Sequence, residues 1–357
     1  MLRAELFLGA KLPLVMSVRI RVALESDRSN LIDLFRRHLT PQWNDDRYDA
    51  LYLRCPHGPA SAWVAHDDSN GALIGAAAAF PRKLYFDGVE REGFVLGDFC
   101  LEEKYRSLGP ALMLQRACLE AVRPPYEFFY DFPSQNMMAV YRRLGIVRAV
   151  RLVRWAKPLR MSKKLESFVR SKTVARKLGA IGNVFLAHRG KKTRALNCEA
   201  QLHQGLCDEE FNSLDRKLQW QAGIRTACSA KYLNWRYLSQ SPPIYEILTA
   251  RRDGNLVGYV VITRDTQDAR IIDLSYVEER AVGAQLLTEA VERLRLRGAA
   301  TVSLNAGEEH PWNELFERAG FRRRESSPLV AYARSGSALT SDAFQKDWYV
   351  MQGERDS

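Results

Sequence analysis

The sequence predicts an α/β (α+β) chain of two mixed-sheet units in tandem, joined by a basic helical connector. Three observations predict it. Strand and helix signals alternate from about residue 17, the same order recurs after residue 244, and residues 148–194 between them hold fifteen Lys or Arg against the single acid Glu166. At 357 residues the chain exceeds what one core usually organises, and 46% apolar with 27% charged residues is the balance of a globular protein. The expected divisions are an extension over 1–15, a first unit over 16–157, the connector over 158–197 and a second unit over 198–357.

The opening stretch MLRAELFLGAKLPLVM is broken by Glu5 and Lys11, and no small-residue cleavage site follows, so export is not expected. VRIRVAL then reads as a strand, DRSNLIDLFRRHL as a helix capped by Asp27, and SAWVAHDD and LIGAAAAF as strands. FDGVE signals a hairpin. The strand GFVLGDFCL, a helix from about Pro110 to Val122, the strand YEFFYDF and a short helix ending at Leu144-Gly145 complete the first unit.

The second unit repeats this order as YEILTARRDGNLVGYVVI, ARIIDLSYV, AVGAQLLTEAVERLRLRG, ATVSLNAG and a helix ending at Gly320-Phe321. Arg106 lies 39 residues before Gly145, and Arg280 lies 40 before Gly320. An internal duplication accounts for both spacings.

The formal charge is +11 overall, while residues 148–194 alone carry +14 and the remainder sums to −3. Their apolar and basic residues mix at near-helical spacing, which suits a solvated interdomain helix, an anionic membrane surface or, least favoured, a nucleic acid. No run of eighteen apolar residues is present, so no membrane span is expected and the location is taken as cytoplasmic or peripheral on the inner membrane face. Six scattered cysteines without a C-x-x-C pair, and six histidines without metal spacing, predict neither a disulfide framework nor a metal site. YLNWRYLSQSPPIYEIL invites base or sugar stacking on Trp235, but a buried anchor joining the connector to the second unit is the simpler reading.

Where GFVLGDFCL runs into Arg106-Ser107-Leu108-Gly109-Pro110-Ala111, a strand-to-helix turn has the chemistry for a phosphate. A glycine lets the backbone approach, and the free N–H groups and positive end of the helix meet the charge. Pro110 costs nothing there, because a first-turn N–H has no intrahelical partner.

These residues resemble the acetyl-CoA loop Q/R-x-x-G-x-G/A of the GNAT N-acetyltransferase superfamily, with Arg106, Gly109 and Ala111 at its defined places. Tyr141 and Gly145 keep the family's tyrosine-to-glycine spacing, whereas Ser134 stands where its Asn falls and Asn136 lies close by. The wider resemblance, through Arg106 to Ala111, Phe132-Pro133, Trp235-Arg236-Tyr237 and Trp348-Tyr349, is to bacterial tandem-GNAT proteins, some linked to exopolysaccharide synthesis.

The resemblance implies an acyltransferase that uses acetyl-CoA as cosubstrate and passes the acyl group directly to an amine or hydroxyl of a small molecule or sugar. Ser107, Leu108, Ser134 and Asn136 join Arg106, Gly109 and Ala111 as candidate cosubstrate contacts. The pantetheine arm lies between the splayed fourth and fifth strands, and amides near Phe99, Cys100 and Leu101 meet the thioester oxygen. Tyr141 is the candidate general acid and Asp98 the candidate base, its pKa raised by apolar neighbours, with Asp131 as a competitor. Cys100 itself reads as a packing residue. In the second unit Gln285 and Phe316 replace the small residue and the tyrosine, so that unit is expected to be poor in cosubstrate contacts and to shape the acceptor site. The competing expectation is a non-catalytic module that holds a polyanion or a protein.

Overall fold

The computed structural model describes residues 18–355 apart from 121–123, 147–148, 161–197, 240–243, 278, 335, 338 and 346. The expected extension over 1–15 and residues 161–194 of the basic stretch lie outside the described residues, whereas Ala149–Pro158 within that stretch is a strand and not part of a helix.

The first half supplies β1 (Val18–Val22), α1 (Arg28–His38), α2 (Asp45–Tyr48), β2 (Ser61–Asp67), β3 (Leu73–Phe86), β4 (Val89–Leu101), α3 (Leu108–Leu119), β5 (Phe128–Asp131), α4 (Met137–Arg143) and β6 (Ala149–Pro158). The second supplies β7 (Cys198–Leu202), α5 (Glu209–Gln219), β8 (Ile224–Thr226), α6 (Ala230–Leu233), β9 (Tyr245–Arg252), β10 (Asn255–Thr263), β11 (Arg270–Tyr276), α7 (Arg280–Leu296), β12 (Thr301–Gly307), α8 (Asn313–Arg318) and β13 (Arg322–Ala333).

Both long hairpins turn on Asp-Gly. Asp87 and Gly88 between β3 and β4 have φ of +47° and +87°, and Asp253 and Gly254 between β9 and β10 have +49° and +79°. Two successive left-handed residues match the twist of the flanking strands, and glycine takes that conformation without a Cβ penalty. Helix α1 buries Leu31, Ile32, Leu34 and Phe35 as its apolar spacing requires. The expected Asp27 cap is not made. Its carboxylate instead accepts from Arg21 at 2.6 and 2.8 Å and from the Leu24 amide at 2.7 Å, a charge-assisted set that leaves α1 uncapped. Helix α3 begins at Leu108, two residues before its expected start, because the chain leaves extended geometry at Ser107.

Among the described residues the strands form one sheet in the order β1-β2-β3-β4-β5-β13-β6-β12-β11-β10-β9-β7, with β8 paired to β3. The halves exchange their last strands. β13 lies antiparallel to β5, β6 lies antiparallel to β12, and β6 and β13 pair with each other at the centre. The cores follow the exchange: Trp155 of β6 is fully buried in the second half's cluster with Phe316, while Leu329, Ala331 and Ala333 of β13 pack in the first half's.

In the first half one apolar cluster, with α1, Tyr52 and Tyr130, lies on one side of the sheet. Another, with Leu114 of α3 and Tyr141 of α4, lies on the opposite side. No helix among the described residues is long and apolar enough to cross a membrane. No group of three or more His, Cys, Asp or Glu among them is placed to hold a metal ion.

Candidate functional site

β4 and β5 run parallel and pair only from Gly93–Phe128 to Leu96–Asp131. β5 ends there while β4 continues to Leu101, so the sheet forks. On the β3 side of the fork, Ala78 pairs with Gly97 and Ala76 with Cys100, which leaves Asp98 and Phe99 opposite Ala77 alone. Asp98 takes φ +47°. A bulge held by a left-handed non-glycine residue re-aims the backbone groups around it, and it costs of order 1 kcal/mol that the surrounding pairing must sustain.

Beyond the fork, α3 presents its N-terminal end. Arg106, Ser107, Leu108 and Gly109 are exposed, and a Cβ built on Gly109 would meet nothing within 4 Å. Ala111, 8% exposed, seats the helix on the sheet. The Arg106 guanidinium donates through Nε to the Leu101 carbonyl at 2.9 Å and lies 3.1 Å from Nδ1 of His38, bracing the end of β4 against the turn. The Ser107 amide donates to the Tyr105 carbonyl at 2.7 Å and the Ala111 amide to the Ser107 carbonyl at 3.4 Å, and Pro110 has no N–H, so the exposed turn offers an anion the amides of Leu108 and Gly109.

Tyr141 is fully buried on the α3/α4 side. Its hydroxyl donates to Asp131 at 2.5 Å and accepts from Nε2 of Gln115 at 3.0 Å. Burial, with the Asp131 carboxylate adding to it, raises the phenol well above its ordinary value, so the proton stays on oxygen. Asp131 is the last paired residue of β5 and thus marks the fork. Asp98 points to the other side, where its carboxylate accepts from the Tyr52 hydroxyl at 2.9 Å.

Phe99 is half-buried, whereas Cys100 is buried and its thiol is pushed up to about 12 by desolvation, which leaves it protonated and unreactive. Ser134 and Asn136 are exposed ahead of α4, and Ser134 Oγ accepts from the Met137 amide at 3.2 Å. Phe99 to Leu101 and Arg106 to Ala111 thus follow one another past the fork, the Tyr141–Asp131 pair stands at the end of β5, and Asp98 bonds to Tyr52 on the opposite side of the sheet.

The corresponding place in the second half is filled. β11 and β12 pair in parallel only at Arg270–Ser303 and Ile271–Leu304. Past that point the chain's own C-terminal tail lies along β12, with Met351 bridged to Ala306 and the Gly307 amide donating to Val350 at 3.1 Å. Gly283 of α7 is closed in by the Tyr276 ring and Leu315, Trp312 stacks on Tyr276 at 4.5 Å, and Tyr349 meets Trp312 at 5.0 Å.

Residues 210–321, inside this second half, match the family model described as the acetyltransferase (GNAT) family. A GCN5-related N-acetyltransferase from Anabaena variabilis superposes with a TM-score of 0.63 at 12% identity, over 88% of this chain and 72% of that one. The fold is that of the GNAT acetyltransferases. A probable N-acyltransferase from Enterococcus faecalis V583 follows the GNAT path over 89% of this chain and 73% of its own, with a TM-score of 0.61 and 13% identity. The Saccharomyces cerevisiae N-myristoyltransferase with bound myristoylCoA shares it over 95% and 90%, with a TM-score of 0.55 and 11% identity. No curated protein matches the chain by sequence.

Within this GNAT fold, sequence reasoning named Asp131 only as a rival base and missed Gln115, Tyr52 and the inserted tail. Gln115 carries a signal in hindsight, as an amide in an otherwise apolar helix stretch. Trp235, expected to anchor the connector to the second unit, donates through Nε1 to the Ala50 carbonyl of the first half at 2.6 Å and so ties the halves together, while residues 161–197 of that connector lie outside the described residues.

Proposed function

We propose that the chain is an acyl-CoA-dependent acyltransferase of two GNAT-like halves, in which the first half holds acetyl-CoA and the second walls the acceptor site. The observation that supports this most is the contrast between an open fork with a bare helix end in the first half and a filled one in the second. The exposed edge of β4 beyond Leu96 suits a thin amide-bearing arm that adds as an extra strand. The turn at Ser107 to Gly109 suits a diphosphate, with Ser134 and Asn136 on the opposite rim.

In this reading the bulged backbone at Phe99 to Leu101 donates to the carbonyl oxygen as charge develops there. The acceptor nitrogen or oxygen attacks the thioester carbon directly, and the thiolate that departs takes a proton from Tyr141. Asp98, on the reverse side, faces the acceptor. A sugar or another small molecule bearing an amine or hydroxyl is the acceptor class carried forward from the sequence.

Calorimetric titration with acetyl-CoA, followed by a screen of amines, amino sugars and nucleotide sugars for CoA release, tests the reading. No heat at high ligand would leave the chain a non-catalytic module. Tyr141→Phe is expected to cut turnover at least about tenfold with acetyl-CoA affinity nearly kept, and to cost about 1–3 kcal/mol of stability through the lost hydrogen bonds to Asp131 and from Gln115. Unchanged turnover would pass the acid role to water or another group. Because Ala149–Pro158 is a central strand with Arg154 paired to Glu325, only the basic residues after Pro158 are carried as a membrane-surface contact, and retention on anionic liposomes that vanishes at high salt is the expected result.

A further inference from the structure

We propose that Glu354, planted by the C-terminal tail, is the proton acceptor for the attacking amine. The inference rests on the acyl-transfer reading above and assigns the proton acceptor to the tail in place of Asp98, the candidate base of the first half.

The tail sets the position. Gly353 is wedged against Tyr237 and the Ile272 carbonyl, so a Cβ there would strike the Tyr237 hydroxyl, and Arg236 Nε donates to the Gly353 carbonyl at 3.0 Å. This clamp delivers the next residue to the seam between the halves. The Glu354 carboxylate accepts from the Thr226 hydroxyl of the second half and, at 3.4 Å, from the Tyr130 hydroxyl of the first. Tyr130 is the penultimate residue of β5, one before the fork.

The side of the sheet matters as much as the distance. Tyr130 shares its apolar cluster with Tyr52, the partner of Asp98, while Tyr141 belongs to the cluster on the other side. Glu354 and Tyr141 therefore approach the fork from opposite sides, as a base for the entering group and an acid for the leaving group must.

The groups that face Glu354 are Arg82 and Tyr130 from the first half and Thr226, Cys228, Tyr232 and Asp273 from the second. Glu354, Thr226, Arg236 and Asp273 are half-buried rather than sealed, which leaves room for a proton to pass directly or through one water. Desolvation among these groups, with the Asp273 charge adding to it, pushes the Glu354 carboxyl up to about 7, where a base is poised for neutral pH. Asp98, held by Tyr52, serves as the charged anchor for the acceptor.

The step balances as follows. An ammonium acceptor gives one proton to the Glu354 carboxylate and its nitrogen forms the C–N bond. As the C–S bond breaks the thiolate takes the Tyr141 proton, and the nitrogen sheds its second proton to water, from which the Tyr141 phenolate is reprotonated. Glu354 returns its proton to solvent, so one proton leaves per turnover.

The test uses the full chain, acetyl-CoA and, as acceptors, a panel of primary amines and amino sugars with water alone, followed by thiol release from about pH 5.5 to about pH 9. The wild type is expected to show turnover rising through an apparent pKa near 7. Glu354→Gln keeps both hydroxyl contacts within reach and is expected to remove that limb and lower turnover at least about tenfold, with acetyl-CoA affinity within about twofold. Asp98→Asn is expected to keep the limb, and Thr226→Val to move it upward by removing a donor to the carboxylate.

A Glu354→Gln protein that keeps the limb, or whose turnover stays within about twofold, overturns the proposal. So does a wild type that binds acetyl-CoA and releases no thiol with any acceptor. Absence of acetyl-CoA binding overturns the acyl-transfer reading itself, and the assignment of Glu354 with it.

Discussion

Gly109→Asp is expected to abolish measurable acetyl-CoA binding and to leave the protein at least as stable as before. The two halves of that expectation have separate causes. A Cβ at this position meets nothing within 4 Å, and Gly109 is not among the residues with positive φ, so the side chain enters without strain. As the second residue of α3, an aspartate also faces the positive end of the helix, which favours folding by about 0.3–1 kcal/mol.

The same carboxylate would stand where the diphosphate is to sit. Like charges about 4 Å apart near a protein surface repel by a few kcal/mol, so affinity should fall at least about 100-fold, or about 2.7 kcal/mol. Arg280→Ala, on an exposed side chain paired with Glu314 in the second half, is the control and should leave the isotherm unchanged. Calorimetry with thermal melts on the three proteins decides the matter, and an unaltered Gly109→Asp isotherm would remove the turn from the site.

Trp348→Ala should cost about 3–5 kcal/mol and lower Tm by roughly 4–7 °C. Trp348 is 3% exposed and meets Phe344 and Tyr130 edge-on at 5.0 and 5.5 Å. Next to it the Tyr349 amide donates to the Ile224 carbonyl at 2.9 Å, and Val350 and Met351 are buried. The indole is therefore the pin of a segment that closes the second fork. A cost below about 1 kcal/mol by denaturant titration would mean that the tail detaches freely. The second half would then be open to a cosubstrate after all.

Much of the fold was legible because its signals are local. Asp87-Gly88 and Asp253-Gly254 announce hairpins through the chemistry of two adjacent residues, and the run Arg106 to Ala111 announces a strand-to-helix turn. The exchange of β6 and β13 was not legible. An apolar alternation says which side of a strand is buried but not which strand lies beside it, and nothing local marks Trp155 for the second half's core, where it is buried. The tail was illegible for a related reason: Trp348 to Glu354 is short, and long-range contacts with Ile224, β12 and Arg236 give it a place.

At the site, Tyr141 and Asp98 stood out as residue types. Their hydroxyl and carboxylate partners, Asp131, Gln115 and Tyr52, come from other elements and carry no mark at fixed spacing. Glu354 was invisible until the tail had a path.

The crossed strands at the centre have a mechanical corollary. With β6 and β13 each stitched into the opposite half and into each other, the halves behave as a woven frame, not as two lobes on a hinge. Any molecule taken up between them would therefore be admitted by loops and side chains rather than by the halves swinging apart.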